Sequence, residues 1–251
     1  DQVETDRPVF AYVHLLDVHW PYLERLPELP VDAFGAVDPS STLHRERSAV
    51  ARGNREGFDP GDLASSRAMY DHGIAWTDRA LAALVEGLAK RGRWREALVV
   101  VTADHGEGFG EHGRVQHTYE PFDEVARVPL VVRPPAGWEL EPGRRDAVVS
   151  LADVGPTLVE LAGLPAWSEA TGASFAAIVH GAEDPERAVL IEYVRARALR
   201  VRDAKIVLRR PQKLVYFDLV ADPQESRNLA RPDCEGPCRE LLGRMQRFDR
   251  A

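Results

Sequence analysis

The stretch Ala97-Leu-Val-Val-Val-Thr102-Ala-Asp104-His105-Gly106 decides the fold class of this chain. Its first half is a short apolar run, which is typical of a strand buried on both faces of a sheet. Its second half places a carboxylate, an imidazole and a glycine directly after that strand. Because ligands of open α/β sheets bind at the carboxyl ends of the strands, this junction predicts both a sheet and a site.

The segments on either side of this junction extend the same pattern. Two more apolar runs, Val9–Leu16 and Val128–Arg133, predict further buried strands. Apolar residues at helical spacing predict helices at 62 or 65–91, 154–161 and 175–179, with a short one near 44–52 in an irregular stretch. This alternation predicts an α/β domain over residues 1–185, built on a mostly parallel sheet sandwiched by helices.

The last quarter of the chain follows a different pattern. Four short strands joined by polar turns predict a small antiparallel sheet, followed by a helix over 238–247. Residues 186–251 are therefore expected to form an α+β subdomain. Cys234 and Cys238 lie close together in Cys-Glu-Gly-Pro-Cys, and they form either a small disulfide loop in an oxidising compartment or two thiols. We expect an exported or periplasmic location.

Composition excludes several classes of protein. The chain has 251 residues with 40 acidic and 32 basic side chains, which gives a formal net charge of −8. This acidic balance argues against binding to nucleic acid or to anionic lipid, since both favour a basic face. Because no apolar run reaches the roughly 18 residues of a membrane helix, we expect no membrane segment in this chain. The oligomeric state stays open.

Four residues are candidates for chemistry, each with a simpler alternative. Asp104 and His105 together suit a divalent cation, although a turn with an incidental histidine gives the same sequence. His19 precedes Trp20-Pro21, which either presents the imidazole to a pocket or lets it pack on Trp20. His117 is a candidate cation for an anionic ligand or an exposed loop residue.

The segment that holds most of these candidates is long. Residues 103–127 separate two predicted strands, and a loop of this length inside a domain is usually functional. Three residues of this segment are candidates to contact and orient the site residues: Glu107, Glu111 and His112. For Glu107 we expect a solvated surface position instead.

Taken together, these motifs resemble the sulfatases of the alkaline phosphatase superfamily. The resemblance covers most of the chain, and each motif follows in the order of the family. The motifs are Phe10 to Tyr22 with His-Trp-Pro, the helix around Asp78, Thr102-Ala-Asp-His-Gly-Glu107, Gly110-Glu-His-Gly113, Arg127 to Arg133, Asp153 to Leu158 with Ala162 to Pro165, Val215-Tyr-Phe-Asp-Leu219 and Asp222 to Ala230.

This resemblance implies an alkaline phosphatase-like fold and a role for each candidate. Asp104 and His105 match the ligands of the family's divalent cation, which the family suggests is Ca²⁺, while a histidine ligand also tolerates Mn²⁺, Mg²⁺ or Zn²⁺. His117 matches a residue that binds the anionic head of the ester. His19 matches a histidine that contacts the sulfate and protonates the leaving oxygen. The implied substrate is a small-molecule or glycan anionic ester.

The sequence departs from the family at the nucleophile. The family uses a formylglycine made from Cys/Ser-x-Pro-x-Arg, and neither Cys234 nor Cys238 has that context, nor do Ser40 and Ser41. The resemblance therefore implies a C-terminal portion without the nucleophile segment, and we expect no turnover from these residues alone. Two alternatives remain. One is a phosphodiester or phosphonate monoester hydrolase, or a phosphoethanolamine-type transferase, of the same superfamily; the other is a non-catalytic sulfatase-like module.

Overall fold

The computed structural model describes residues 7–20, 22, 60–117, 120–140, 142–211, 213–230 and 234–248. The helix predicted near 44–52 lies outside these residues. The chain divides into two compact units, Asp1–Gly92 and Arg93–Ala251, which are described separately below. The domain boundary predicted at residue 185 stays a prediction.

The first unit is built on helix α1, Pro60–Lys90, which confirms the long helix predicted from the apolar spacing. The helix is followed by Gly92, whose φ of 70° a residue with a Cβ rarely adopts. Buried Met69 packs with Tyr22, and Tyr22 meets Tyr70 edge to face at 6.0 Å between ring centroids. These contacts anchor the turn that carries His19 to the helix.

The segment Val9–Leu16 was predicted to be a buried strand, and this is wrong for the described residues. The segment pairs with no described strand, and its large side chains are exposed, with Phe10 at 80% and Tyr12 at 79%. An apolar run becomes a buried strand only when a neighbouring strand satisfies its backbone and layers cover its faces. The described part of the first unit supplies neither.

The second unit begins with two strands that enclose the candidate loop. Strand β1, Val99–Thr102, pairs with β4, Leu130–Arg133, over four residues. Between them lie β2, Gly108–Phe109, which pairs with β3, Val115–Gln116, and the one-turn helix α2, Asp123–Ala126.

The ladder between β1 and β4 is antiparallel, and so is every other ladder among the described strands. The parallel pairing expected from these apolar runs is therefore not found in this part of the chain. Parallel neighbours need a crossover connection, usually a helix of a dozen or more residues. The chain from β1 to β4 instead forms a hairpin and a single helical turn, and then returns directly.

Two short helices follow, as predicted. Helix α3 spans Val154–Leu161 and α4 spans Ala176–Val179. Buried Asp153 lies at the start of α3, where its carboxylate accepts from the backbone of Ser150 and Ala173 and pairs with Arg187 at 3.0 Å. Thr157 bridges the two helices by donating to Asp153 O and accepting from Phe175 N. These bonds satisfy the buried polar groups of Asp153 and Thr157.

The predicted antiparallel sheet is confirmed at the C-terminal end. Its strands β5 to β8 lie in sequence order at Val189–Tyr193, Ala196–Arg200, Ala204–Arg209 and Lys213–Asp218. Helix α5, Pro237–Phe248, buries Cys238, Leu241 and Met245 against one face of the sheet. Those positions recur at three and four residues, as an amphipathic helix requires. The other face packs around Phe122 and Phe217.

Cys234 and Cys238 form a disulfide, which decides between the two possibilities left by the sequence. The bond closes the turn that leads into α5, and both sulfur-bearing residues are buried beside Leu241. No helix in the described ranges is long and apolar enough to cross a membrane.

Candidate active site

Asp104 and His105 lie directly after β1, as predicted. The hydroxyl of Thr102 donates to Pro129 O at 2.9 Å, which ties the end of β1 to the residue before β4. The side chain of Asp104 is 74% exposed, and its Oδ1 lies 3.9 Å from Nε2 of His105. Both atoms can reach one divalent cation at bond lengths of about 2.0–2.5 Å.

The ring of His105 is held in the form that a metal ligand requires. Its Nδ1 lies 2.8 Å from Gly106 O. A carbonyl oxygen only accepts, so Nδ1 carries the proton and the lone pair of a neutral ring is on Nε2. This bond to a backbone carbonyl is the arrangement by which proteins usually orient a ligating histidine. The donor set of Asp104 and His105 therefore fits a cation.

A glycine is required at position 106 because another segment of backbone approaches it closely. A Cβ added there would lie 2.1 Å from Glu124 O. Gly106 N also donates to Val125 O at 2.7 Å. Helix α2 therefore fixes the turn that presents His105, and a side chain on residue 106 would push the two segments apart.

His117 lies beside His105, although it comes twelve positions later in the chain. The two imidazoles stack with ring centroids 3.9 Å apart and planes 26° apart. Nδ1 of His117 lies 3.2 Å from Oε1 of Glu107, so Nδ1 donates to the carboxylate. Glu107 was expected on the solvated surface, and this is wrong: its side chain is only 4% exposed, because it is enclosed at the start of the β2–β3 hairpin where it pairs with His117.

The C-terminal sheet also contacts the candidate site. The hydroxyl of Tyr193, at the end of β5, donates to His117 O. Burial, and in addition the charge of Glu107, raises the pKa of Tyr193, so the hydroxyl keeps the proton that it donates. Nothing in the local sequence marks Tyr193, because its partner lies 76 residues away along the chain.

Glu111 and His112 support the loop rather than the metal ligands. An oxygen of Glu111 accepts from Phe109 N at 2.5 Å. The ring of His112 stacks on Phe122 with centroids 3.6 Å apart, while its Nδ1 lies 2.8 Å from Glu124 Oε1 and its Nε2 lies 3.2 Å from Glu225 O. Burial lowers the pKa of His112, but the hydrogen bonds and charges of Glu124 and Glu225 together outweigh burial and raise it above its ordinary value.

A buried ion cluster lies beneath this loop, and the sequence did not reveal it. Lys205 on β7 is fully buried, and its Nζ lies 2.6 Å from Asp123 Oδ1, 2.7 Å from Glu225 Oε1 and 2.8 Å from Pro121 O. Glu225 also accepts from Asp123 N, and Arg200 pairs with Asp123 at 3.2 Å. Because Asp123 begins α2, this cluster fixes the helix that holds Gly106.

The two carboxylates of the cluster respond differently to burial. Burial raises the pKa of Asp123, but Lys205 and Arg200 outweigh burial and hold it below its ordinary value. Burial also raises the pKa of Glu225, and in this case Lys205 does not fully compensate, so it stays above its ordinary value. Lys205 is the cation on which both carboxylates depend.

His19 lies in the first unit, in a turn formed by the bonds His19 N to Leu16 O and Tyr22 N to His19 O. Its Nδ1 lies 2.6 Å from Trp20 O, so the carbonyl of the next residue orients the ring. A Cβ on Gly73 would lie 2.3 Å from Asp17 O, so helix α1 supports this turn closely.

Comparisons with known proteins bear on what these residues do. A family model described as Sulfatase matches residues 1–164. The choline-sulfatase of Rhizobium meliloti is 29% identical over 90% of this chain and 47% of its own length. The chain thus spans about half the length of this relative.

Two solved structures share the fold. One, in complex with its substrate D-glucosamine-2-N,6-O-disulfate, superposes with a TM-score of 0.65 at 22% identity, over 85% of this chain and 47% of that one. The phosphonate monoester hydrolase of Agrobacterium radiobacter gives a TM-score of 0.61 at 27% identity, over 75% of this chain and 41% of that one. These likenesses confirm the predicted α/β, alkaline phosphatase-like fold class.

Proposed function

The chain belongs to the sulfatase family, and from this premise we propose that it forms the metal-binding part of an enzyme that hydrolyses sulfate esters. The proposal rests on the close approach of three side chains, Asp104, His105 and His117, which we call the Asp104–His105–His117 group. A carboxylate and a correctly protonated imidazole fit a divalent cation, and a second imidazole lies against the first.

Each of these residues, together with His19, has a different proposed role. Asp104 and His105 would hold the cation, for which we propose Ca²⁺. The bound cation would neutralise negative charge on the sulfate oxygens. Glu107 accepts from Nδ1 of His117, which leaves Nε2 as the nitrogen that meets an ester oxygen. His19, whose Nδ1 is engaged by Trp20 O, would use its own Nε2 to protonate the leaving oxygen.

The nucleophile is not one of the two cysteines. Both are joined in a disulfide, so neither provides a thiolate or a precursor of formylglycine. We propose that the attacking group is a formylglycine outside these 251 residues. The disulfide also supports our proposal of an exported or periplasmic location, since such bonds persist in oxidising compartments.

A second candidate is phosphonate monoester hydrolysis, which is favoured by the likeness to the Agrobacterium radiobacter enzyme. Both reactions place a tetrahedral anion between a cation and hydrogen-bond donors, so the residues alone suit either substrate. The proposed substrates are small-molecule or glycan esters. The likeness to the structure with a bound disulfated glucosamine supports the glycan class.

A direct comparison of esters tests the proposal. The protein that contains this chain would be assayed with 4-nitrophenyl sulfate and with 4-nitrophenyl phenylphosphonate, before and after treatment with EDTA. We expect metal-dependent hydrolysis with the higher kcat/KM on the sulfate. A higher kcat/KM on the phosphonate would establish the second candidate, and hydrolysis that is unaffected by metal removal would contradict both.

A further inference from the structure

We propose that the cleft beside the β7–β8 hairpin is a binding site for an oxyanion, separate from the Asp104–His105–His117 group. The cleft lies wholly in the second unit. Its polar lining includes Arg114, Glu120, Arg209, Lys213, Ser226 and Asn228. His112 and Glu225 also line it, and they are already engaged by Glu124 and by Lys205.

The first observation is a pair of like charges at the end of the hairpin. Arg209 and Lys213 are directly opposite each other in the ladder between β7 and β8. Residues opposite each other lie on the same face with Cβ atoms about 4.5–5.5 Å apart, and like charges there are destabilising. An anion bound between them would remove that repulsion.

The second observation is an excess of cations over available carboxylates. Glu120 is shared, because its Oε2 lies 2.5 Å from Arg209 and its Oε1 lies 4.0 Å from Arg114. The exposed Lys213 has no ion-pair partner among the residues that the structure describes. The other carboxylate of the cleft, Glu225, is already engaged by buried Lys205. Among the described residues of the cleft, Glu120 is therefore the one carboxylate left to balance both Arg209 and Lys213.

The third observation is a neutral donor with a fixed orientation. Oδ1 of Asn228 accepts from Tyr216 N at 3.0 Å and from Ala230 N at 2.8 Å. These two bonds define which end of the amide is oxygen, so the NH₂ group of this cleft residue is a donor. Ser226, by contrast, gives its hydroxyl proton to Asp222.

Together these groups suit a sulfate or a carboxylate. Arg209 supplies a planar donor group, Lys213 a point charge and Asn228 a neutral donor, and charge-assisted hydrogen bonds to such groups are strong. The ligand is either a free inorganic anion or an anionic substituent on a larger molecule. The Asp104–His105–His117 group contributes no residue to this cleft.

Isothermal titration calorimetry with sodium sulfate, against sodium chloride at equal ionic strength, tests the site. We expect Lys213→Gln and Arg209→Gln each to weaken one sulfate-binding event about tenfold, as expected for one charged hydrogen bond. Arg202→Gln is the matched control, since it removes the same charge from an exposed turn residue whose ion pair among the described residues is with Asp203 at 3.6 Å. Because Lys213 is exposed, Lys213→Gln should fold normally, and it tests the site even if Arg209→Gln does not fold.

A second titration with glucose 6-sulfate, with glucose as the neutral control, separates the two sources of the anion. Tighter binding of glucose 6-sulfate than of sulfate identifies an anionic substituent as the ligand, while equal affinity identifies a free oxyanion. The proposal is overturned if wild-type affinity persists in both cleft variants. It is equally overturned if Arg202→Gln weakens binding as much as they do, because the effect would then be one of net charge.

Discussion

Replacing Lys205 by methionine tests how far the candidate site depends on the C-terminal sheet. Lys205 is fully buried between Asp123 and Glu225, and its Nζ forms an ion pair with both carboxylates and donates to Pro121 O. Methionine keeps much of the volume but leaves two buried acids facing each other without their shared cation. Removing one partner of a buried ion pair costs about 3–5 kcal/mol, and Arg200 remains to compensate Asp123 alone.

We therefore expect Lys205→Met to lower the free energy of unfolding by about 3–5 kcal/mol at neutral pH, measured by urea denaturation. The matched control is Lys213→Met on the neighbouring strand, an exposed position where the change should stay within about 0.5 kcal/mol. Adding Glu225→Gln to Lys205→Met should recover about 1 kcal/mol or more, because it removes one unpaired buried charge.

The deficit of the Lys205→Met variant should also shrink as the pH falls. Without the lysine, the buried carboxylates take up protons more readily, and a protonated acid no longer needs a cation. The reasoning fails if Lys205→Met costs less than about 1 kcal/mol, or if Glu225→Gln gives no recovery, since buried charge would then not be the cause.

Three further predictions concern the loop itself. Gly106→Ala should weaken metal binding at least tenfold by calorimetry, because a Cβ would lie 2.1 Å from Glu124 O; unchanged affinity would show that the close approach is not required. Glu107→Gln should lower kcat/KM by roughly tenfold or more with intact metal content, because His117 loses the carboxylate that orients it; an unchanged rate would remove Glu107 from the site. Because the pKa of His112 is raised in the folded state, protonation of His112 stabilises the fold. This contribution is fully present below the ordinary pKa of histidine and is lost as the pH rises through the pKa of the folded state. His112→Gln should therefore flatten the decline in unfolding free energy above about pH 6.5, and an identical decline in both proteins would contradict the assignment.

The sequence predicted those features that depend on local pattern. Helix α1 and the helix over Val154–Leu161 follow apolar spacing, and the junction of β1 with Asp104 and His105 follows from an apolar run that ends in polar groups. The strands of the C-terminal sheet were visible for the same reason, because short apolar runs alternate with polar turns.

What the sequence could not predict depends on partners distant in the chain. Tyr193 contacts His117 across 76 residues, and Lys205 contacts Pro121 across 84, so neither carries a local signal. In Val9–Leu16 the local signal is strong but misleading. Its composition is that of a buried strand, yet its large side chains are exposed, because burial depends on whether other layers cover the segment. Burial of Glu107 likewise arises from a hairpin of only two residues per strand, which is too short to leave a periodic pattern.

The central claim is that Asp104 and His105 hold the cation on which ester hydrolysis depends. It is tested most directly by measuring metal content and 4-nitrophenyl sulfate hydrolysis in the same preparations of the wild-type protein, Asp104→Ala and His105→Ala, with exposed Asp146→Ala as the matched control. We predict that both site variants lose bound metal and hydrolysis together, by a factor of about 100 or more in rate, while the control keeps both. Full hydrolysis by either site variant without its metal would contradict the account.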